Sequence, residues 1–289
     1  MPWTQSRKKT NPMKVRKLRP YSIEVKHDCG EVKKFSYLLL SDVHWDNPHC
    51  NRALLQQHLD AAKARGAGIM IFGDFFCAMQ GKYDPRGAKN NIRPEHDVAN
   101  YFDALVDTAT EYLLPYRENI LLITPGNHET SILKRQETDL TGRLCAALDV
   151  ERGTYSGWVM LRYRHINYSA VKNISYHHGY GGGGPVTKDV IQASRKSVYL
   201  PDAHIVVSGH THDRWIFPIQ RVKLNKGGEQ MLEEQLHLKL GTYKDEFTDG
   251  GGWAVERGMP PKSLGGVWLN TEFTRKKEQT IVRMSAELT

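Results

Sequence analysis

The chain has 289 residues, of which 39% are hydrophobic and 25% charged, as is usual for a soluble globular protein. No apolar run approaches the roughly 20 residues that cross a bilayer, and the first 20 residues lack the apolar centre of a signal peptide, so we expect a cytoplasmic protein without membrane contact. The four cysteines are scattered without C-x-x-C spacing, which argues against a disulfide framework or a zinc knuckle.

The formal net charge of +8 is concentrated at the start of the chain. Residues 1–20 contain seven basic residues and no acidic one, so the rest of the chain is nearly neutral. We predict a basic, disordered tail over residues 1–20 and a single domain over residues 21–289. Such tails attract the phosphate backbone of nucleic acids, although a solvated chain end is the commoner explanation.

The first half of the chain alternates between strand and helix patterns. Residues 21–41 are typical of two strands around a turn at 28–30, and residues 51–65 have leucines at helical spacing before the strand GIMIFGD. A stronger helical pattern over 98–113 precedes the strand NILLITPG, and residues 131–148 again favour a helix. This alternation predicts a largely parallel sheet that is covered on both faces.

The second half is richer in strands. Residues 157–177 are predicted to form two or three strands, residues 186–197 a helix, and AHIVVSG another buried strand. We therefore expect a second sheet packed on the first. The glycine-rich stretch at about 241–266 has no clear period and is predicted to be a loop-rich insertion.

Every buried strand is followed by residues that bind metals. These are Asp42 and His44, Asp74, Asn127 and His128, His177 and His178, and His210 and His212. Because parallel strands bring their carboxyl ends to one edge, the side chains are expected to converge in one crevice. A single Asp or Asn at a strand end is an ordinary turn residue, but five such ends favour a functional site. Mixed nitrogen and oxygen ligands suit manganese, iron or zinc, and their number predicts two divalent ions that share a carboxylate.

These segments resemble the calcineurin-like metallophosphoesterases. SDVH matches the D-x-H motif of that family, FGD its G-D motif, PGNHE its G-N-H-[DE] motif, HHG its single-histidine motif and GHTH its G-H-x-H motif, all in family order. The resemblance implies a four-layer α/β/β/α sandwich of two packed mixed sheets with a binuclear metal centre. It implies that the first metal is bound by Asp42, His44 and His212, and the second by Asn127, His178 and His210. Asp74 would bridge the two metals, and His128 would face the leaving group.

Adjacent strand residues face opposite sides, so only one of His177 and His178 can point at the metals. The family ligand stands directly before glycine, which implies His178. His177 is then expected to be either a packed histidine or one that contacts a metal ligand.

The sequence departs from the family pattern at two places. Many members have a second Asp, three residues after the Asp of the G-D motif, that orients the catalytic histidine, whereas this chain has Cys77 there. Asp84 and Glu129 are alternative residues for orienting His128. The phosphoprotein phosphatases continue with R-G where this chain has Ala78 and Met79, which argues against a protein phosphatase.

The sequence therefore predicts a metal-dependent phosphoric ester hydrolase in which metal-bound hydroxide attacks the phosphoester. A nucleic-acid or nucleotide phosphodiester is the favoured substrate, with the basic tail as its support. The alternatives are a small phosphomonoester and, in a different class, a non-catalytic metal-binding interaction module on the same fold. The sequence does not indicate an oligomeric state.

Overall fold

The computed structural model describes residues 13–29, 33–82, 84–87, 91–182, 184, 186–248, 250, 253–276 and 279–289. Its strands are β1 (Met13–Arg19), β2 (Ser22–Asp28), β3 (Lys34–Leu40), β4 (Gly68–Phe72), β5 (Ile120–Thr124), β6 (Ser156–His165), β7 (Tyr168–His177), β8 (Ile205–Ser208), β9 (Trp215–Leu224), β10 (Gln230–Lys239), β11 (Val267–Lys276) and β12 (Gln279–Leu288). Its α-helices are α1 (Arg52–Arg65), α2 (Tyr101–Leu113), α3 (Asn127–Gln136), α4 (Leu140–Leu148), α5 (Val190–Tyr199) and α6 (Trp253–Glu256). Two 3₁₀ helices, Pro94–His96 and Leu114–Asn119, flank α2.

The strands form two mixed sheets. The seven-stranded sheet has the order β1-β2-β6-β7-β8-β10-β9, and the five-stranded sheet has the order β12-β11-β3-β4-β5. Strands β3, β4 and β5 are parallel, and so are β7 and β8, so that each set ends at one edge of its sheet.

Two hydrophobic clusters separate the layers. One lies between the sheets and includes Leu39, Met70 and Val207, and the other lies between the five-stranded sheet and its helices and includes Leu38 and Leu105. Neighbouring residues of β3 thus enter different clusters, because successive side chains of a strand point to opposite faces. Helix α5 covers part of the outer face of the seven-stranded sheet at β8 and β9. The predicted α/β/β/α sandwich of two packed mixed sheets is confirmed.

Strands β2 and β3 do not form a hairpin, although the sequence places a turn signal between them. Strand β2 pairs with β1 and β6 in the seven-stranded sheet, whereas β3 pairs with β4 and β11 in the five-stranded sheet. Between Asp28 and Lys34 the chain therefore crosses from one sheet to the other.

The prediction of a disordered tail over residues 1–20 is wrong for Met13–Arg19. These residues form β1, an edge strand antiparallel to β2 with Val15 opposite Val25. Met13 is buried and Val15 packs against the core between the sheets. The alternation of these apolar residues with basic ones is the pattern of a half-buried strand. Residues 1–12 lie outside the described residues.

In its described part, the stretch 241–266 holds one short helix, α6, an isolated bridge from Lys244 to Cys50 and an internal bridge between Thr242 and Leu264, with no longer strand. Tyr243 is fully buried, and its hydroxyl lies 2.7 Å from Nδ1 of His58. The beginning of this stretch is thus fixed against helix α1. Within the described part of the chain, no helix is long and apolar enough to span a membrane.

Candidate metal centre

The polar residues that follow the strands converge at the strand ends of both sheets. In two groups that correspond to the predicted metal positions, the potential ligand atoms lie within 4.8 Å of one another: a first group of Asp42, His44 and His212, and a second group of Asp74, His178 and His210. A further group, His44, Cys77 and His128, shares His44 with the first. In the first and second groups, Asp42, His44 and Asp74 follow strands of the five-stranded sheet, and the remaining three histidines follow strands of the seven-stranded sheet. Each of these two groups therefore draws on both sheets.

The first group surrounds the fully buried carboxylate of Asp42. Its Oδ2 accepts hydrogen bonds from Ser41 Oγ at 2.6 Å and from the backbone N–H of His210 at 2.8 Å. Its Oδ1 accepts no hydrogen bond among the described residues and lies 3.4 Å from Nε2 of His212. The same Nε2 is 3.2 Å from Nε2 of His44. An oxygen and two ring nitrogens thus face one point, as a divalent ion requires.

The side-chain oxygen of Asn127 lies beside both histidines of the second group. Asn127 Oδ1 lies 2.8 Å from His210 Nδ1 and 3.1 Å from His178 Nε2. His178 Nδ1 lies 2.9 Å from the carbonyl oxygen of Phe72, so a proton on Nδ1 leaves Nε2 free to act as a ligand. His178 Nε2 is also 3.1 Å from Asp74 Oδ2. All three predicted ligands of the second metal are therefore together, with Asp74 beside them.

The electrostatics of the site favour a bound cation. Burial opposes the ionisation of Asp42 and Asp74, but neighbouring imidazoles lower the pKa of both carboxyls: those of His212 and His178 for Asp42, and those of His178 and His128 for Asp74. Burial likewise opposes a charge on His178, yet the carboxylates of Asp74 and Asp42 raise its pKa to about 10. A positive charge is thus favoured beside the two buried carboxylates, and a metal ion would supply it in place of the proton on His178. The residues present fit a binuclear metal centre.

Five of the predicted ligands have a left-handed backbone. Their φ angles are 51° for Asp42, 52° for His44, 49° for Asp74, 75° for His210 and 60° for His212. Such a conformation costs on the order of 1–3 kcal/mol per residue and persists where the surroundings impose it, most often at functional sites. It turns the chain sharply at the strand ends and directs these side chains into the crevice.

Two glycines of the motifs are required by close approach. A Cβ on Gly126 would lie 2.1 Å from Oδ1 of Asp74, and a Cβ on Gly73, whose φ is +87°, would lie 2.4 Å from Nδ1 of His178. Any side chain at these positions would displace a ligand. The glycines of the G-D and G-N-H motifs therefore make room for the metal ligands.

His128 lies beside the two groups, and a backbone carbonyl orients it. Its backbone N–H donates to Asp74 Oδ1 at 3.0 Å, and its Nδ1 lies 2.7 Å from the carbonyl oxygen of Cys77. Its Nε2 is 3.9 Å from Asp74 Oδ2, and 17% of its side chain is exposed. Asp84, one alternative for orienting His128, instead binds Arg86. Because a carbonyl oxygen can only accept a hydrogen bond, Nδ1 of His128 carries the proton and donates the hydrogen bond to Cys77. The other ring nitrogen, Nε2, is thus available to a substrate.

The thiol of Cys77 orients a different histidine. Its Sγ lies 3.3 Å from Nδ1 of His44 and 3.5 Å from the side-chain nitrogen of Asn47. Burial raises the pKa of Cys77 far above its ordinary value, so the sulfur is a neutral thiol. With Nδ1 of His44 engaged by the thiol, Nε2 faces the first group.

Two buried carboxylates hold the loop that presents the Cys77 carbonyl. Glu129 accepts hydrogen bonds from the backbone N–H groups of Phe76 at 2.9 Å and Gly126 at 2.8 Å, so it joins the loop to α3 rather than orienting His128. Burial and then the charge of Asp74 raise the pKa of Glu129 to about 7.

The second of these carboxylates, Asp46, accepts from the N–H groups of Cys77 at 2.6 Å and Ala78 at 2.9 Å. Sequence reasoning missed Asp46, although it stands two residues after His44 in SDVHWD.

His177 lies on the opposite face of β7 from His178. Its Nδ1 accepts a hydrogen bond from the N–H of Gly179 at 3.0 Å, and it lines a cavity on the outer face of the sheet. Burial and then the charge of Lys196 lower the pKa of His177 to about 4. His177 is therefore a neutral, packed residue outside both ligand groups.

The sequence matches no family model and no curated protein. Among solved structures, it is similar to vacuolar protein sorting 29 from Cryptosporidium parvum, with 17% identity, coverage of 89% of this chain and 100% of that chain, and a TM-score of 0.33. A predicted phosphoesterase from Streptococcus pneumoniae has 12% identity, coverage of 87% and 98%, and a TM-score of 0.32. Vacuolar protein sorting 29 complexed with zinc from Entamoeba histolytica has 11% identity, coverage of 87% and 99%, and a TM-score of 0.32. Similarities this distant carry no information about activity, which has to be inferred from the geometry of the site.

Proposed function

We propose that the protein is a phosphoric ester hydrolase that depends on two divalent metal ions. The convergence of the two ligand groups from both sheets carries this proposal. Asp42, His44 and His212 would hold the first ion, Asn127, His178 and His210 the second, and Asp74 would bridge them. Manganese, iron and zinc suit this mixture of imidazole and oxygen ligands.

The roles of the chain's own residues follow from their charge and position. Two divalent ions, when bound, acidify water towards neutral pH and neutralise charge on phosphoryl oxygens. Asn127 adds a ligand without adding charge, so Asp42 and Asp74 leave the pocket net positive towards a phosphoester. His128, held at Nδ1 by the carbonyl of Cys77, offers Nε2 to a phosphate oxygen or to the leaving oxygen.

A nucleic-acid or nucleotide phosphodiester is the proposed substrate class. A small phosphomonoester remains the alternative, and the same assay distinguishes them. Bis-nitrophenyl phosphate is a phosphodiester and mono-nitrophenyl phosphate is a phosphomonoester. Both are small enough to contact the metal centre without reaching the rest of the surface. The ratio of the two rates therefore reports the preference of the centre itself.

The test combines metal analysis with hydrolysis of both nitrophenyl esters. We expect two ions per chain and hydrolysis that chelation abolishes. Asp74→Asn should lose at least one ion and reduce turnover by more than the roughly 10–100-fold that removal of an outer-shell partner causes. Asp103→Asn, in an exposed ion pair on α2, makes the same chemical change and should alter neither quantity. Full activity after thorough chelation, or a folded protein that binds no ion, would refute the proposal.

A further inference from the structure

The outer face of strands β1, β2 and β6 is basic. The strand register places Lys14 opposite Lys26, and Lys26 opposite Arg162. A groove of about 880 Å³ on this face, the cationic groove, is lined by the basic side chains of Lys14, Arg16, Lys26, Arg162 and Arg164. The N-terminal cations of the described chain are thus aligned with cations that lie far away in the sequence.

One buried carboxylate fixes two of these cations. Glu24, which is 5% exposed, accepts from Arg16 at 3.1 Å and from Arg162 at 2.5 Å. At the end of β2, Asp28 lies opposite Arg164. Five cations against two carboxylates leave this face of the sheet positive, and Glu24 holds two guanidinium groups in place for an incoming anion.

An aromatic cavity lies on the same outer face, near the metal centre. The cavity has a volume of about 390 Å³, and its lining includes the aromatic residues Tyr21, Trp158, His177, Tyr180 and Tyr199. Tyr180 and Tyr199 are 58% and 60% exposed, so their rings are accessible to a ligand. Ring faces of this kind stack on nucleobases regardless of sequence.

A lysine also lines the aromatic cavity. Lys196 is 7% exposed as a residue. The neighbouring carboxylate, Asp189, binds Lys239 at 2.8 Å. A cation at this place favours an anionic group of a ligand.

Strand β6 joins the aromatic cavity to the cationic groove. Trp158, Arg162 and Arg164 alternate with buried residues along β6 and therefore share its outer face. From Trp158 to Arg164 the strand spans roughly 20 Å. At the cavity end, His177 lines the cavity while the next residue, His178, faces the metal centre. The path along the outer face thus ends at the edge of the sheet that carries the metal ligands.

We propose that the outer face of the seven-stranded sheet binds a single-stranded polynucleotide, with its phosphates on the cationic groove and its bases in the aromatic cavity. This inference rests on the proposed hydrolase function and names the substrate class of that site. The basic groove alone would suit any polyanion, but the exposed rings favour a polymer with accessible base faces. In a duplex those faces are stacked on one another, so a single strand fits both features.

The first test measures the salt dependence of binding. A fluorescent, hydrolysis-resistant phosphorothioate oligonucleotide of about 12 nucleotides is titrated with the metal-loaded protein at several salt concentrations. Each phosphate contact to a single strand contributes about 0.7 to the log–log salt slope. The triple variant Lys14→Gln, Lys26→Gln, Arg164→Gln should therefore reduce the slope by about 2.

A matched control removes three exposed cations elsewhere, through Lys63→Gln, Arg117→Gln and Lys226→Gln. This variant has the same net charge as the first and should keep the slope of the unmodified protein. Equal slopes in the two triple variants would show that net charge alone attracts the oligonucleotide. That result would overturn the proposed binding site.

The second test addresses stacking. Tyr199→Ala should weaken binding of the single strand about tenfold, whereas Val198→Ala, its exposed neighbour on α5, should leave the affinity unchanged. The complementary duplex should bind more weakly than the single strand. A duplex that binds as tightly, or a Tyr199→Ala variant that binds like the unmodified protein, would refute the role of the aromatic cavity.

The two proposals fail in different ways. If the unmodified protein binds single strands as expected but hydrolyses neither nitrophenyl ester, the hydrolase function is wrong and the binding site stands. If it hydrolyses the small esters but binds single strands no better than duplexes, the metal centre stands and the binding site is wrong.

Discussion

His128 is the residue whose function depends most directly on local geometry. Its ring is fixed through Nδ1 by a backbone carbonyl, and its Nε2 lies at the border of both ligand groups. If it donates a proton to the leaving oxygen, His128→Asn should lower turnover about 10²–10⁴-fold while the metal content stays unchanged. Turnover is measured with a nitrophenyl ester, and metal content by metal analysis of the same sample. If His128→Asn lost metal and activity together, His128 would be a metal ligand.

Cys77→Ser provides the matched comparison for His128→Asn. The substitution keeps the backbone carbonyl that orients His128 and leaves a hydroxyl near His44. We expect a much smaller loss of turnover than for His128→Asn. A loss of the same size would show that the sulfur itself is needed.

At the scale of residues, the side chains that form the site could be predicted from the sequence, but the groups that hold them in position could not. The five motifs identified the residues that the structure brings together, because each combines a ligand type with a strand end. The group that orients His128 escaped prediction, since a backbone carbonyl is present at every position and carries no signal in the sequence. Asp46 escaped for a related reason, because its partners are backbone N–H groups of a distant loop.

At the scale of elements, β1 is the clearest correction to the sequence-based picture. Truncation of residues 1–19 removes this strand, whereas truncation of residues 1–12 keeps it. Because Met13 is buried and Val15 packs on the core, loss of β1 should lower the free energy of unfolding by on the order of 3 kcal/mol. Urea denaturation of the two truncated proteins measures the difference. Equal stability would contradict the pairing of β1 with β2.

The elements of the first half were predictable from hydrophobic periodicity, but their partners were not. The alternation of β3, α1, β4, α2 and β5 follows from local patterns that switch between strand and helix periods. The separation of β2 from β3 is a matter of long-range pairing, because β2 pairs with β6 more than a hundred residues later in the chain. Local patterns contain no information about that choice.

At the scale of the whole molecule, the ligands of the proposed metal centre come from both sheets. Ions bound there should stabilise the folded chain, because the unfolded chain has no assembled site. At a free metal concentration of about 1,000 times Kd the gain is about 4 kcal/mol per site. Thermal unfolding with manganese and with chelator should therefore show a higher midpoint with metal, and Asp74→Asn should reduce this difference. Identical midpoints for the unmodified protein under both conditions would argue against ions that bind only the folded state.

The origin of the ligands in both sheets also determines when during folding the centre can form. His44 and His212 face each other at 3.2 Å although 168 positions separate them in the chain. Contacts between such distant segments form late, because closing a long loop is entropically costly until other contacts support it. A chain still emerging from the ribosome has all the ligands of the five-stranded sheet before it has any from strand β8. Metal capture would then accompany the docking of the sheets, so a chain that is still being synthesised would not carry the complete centre.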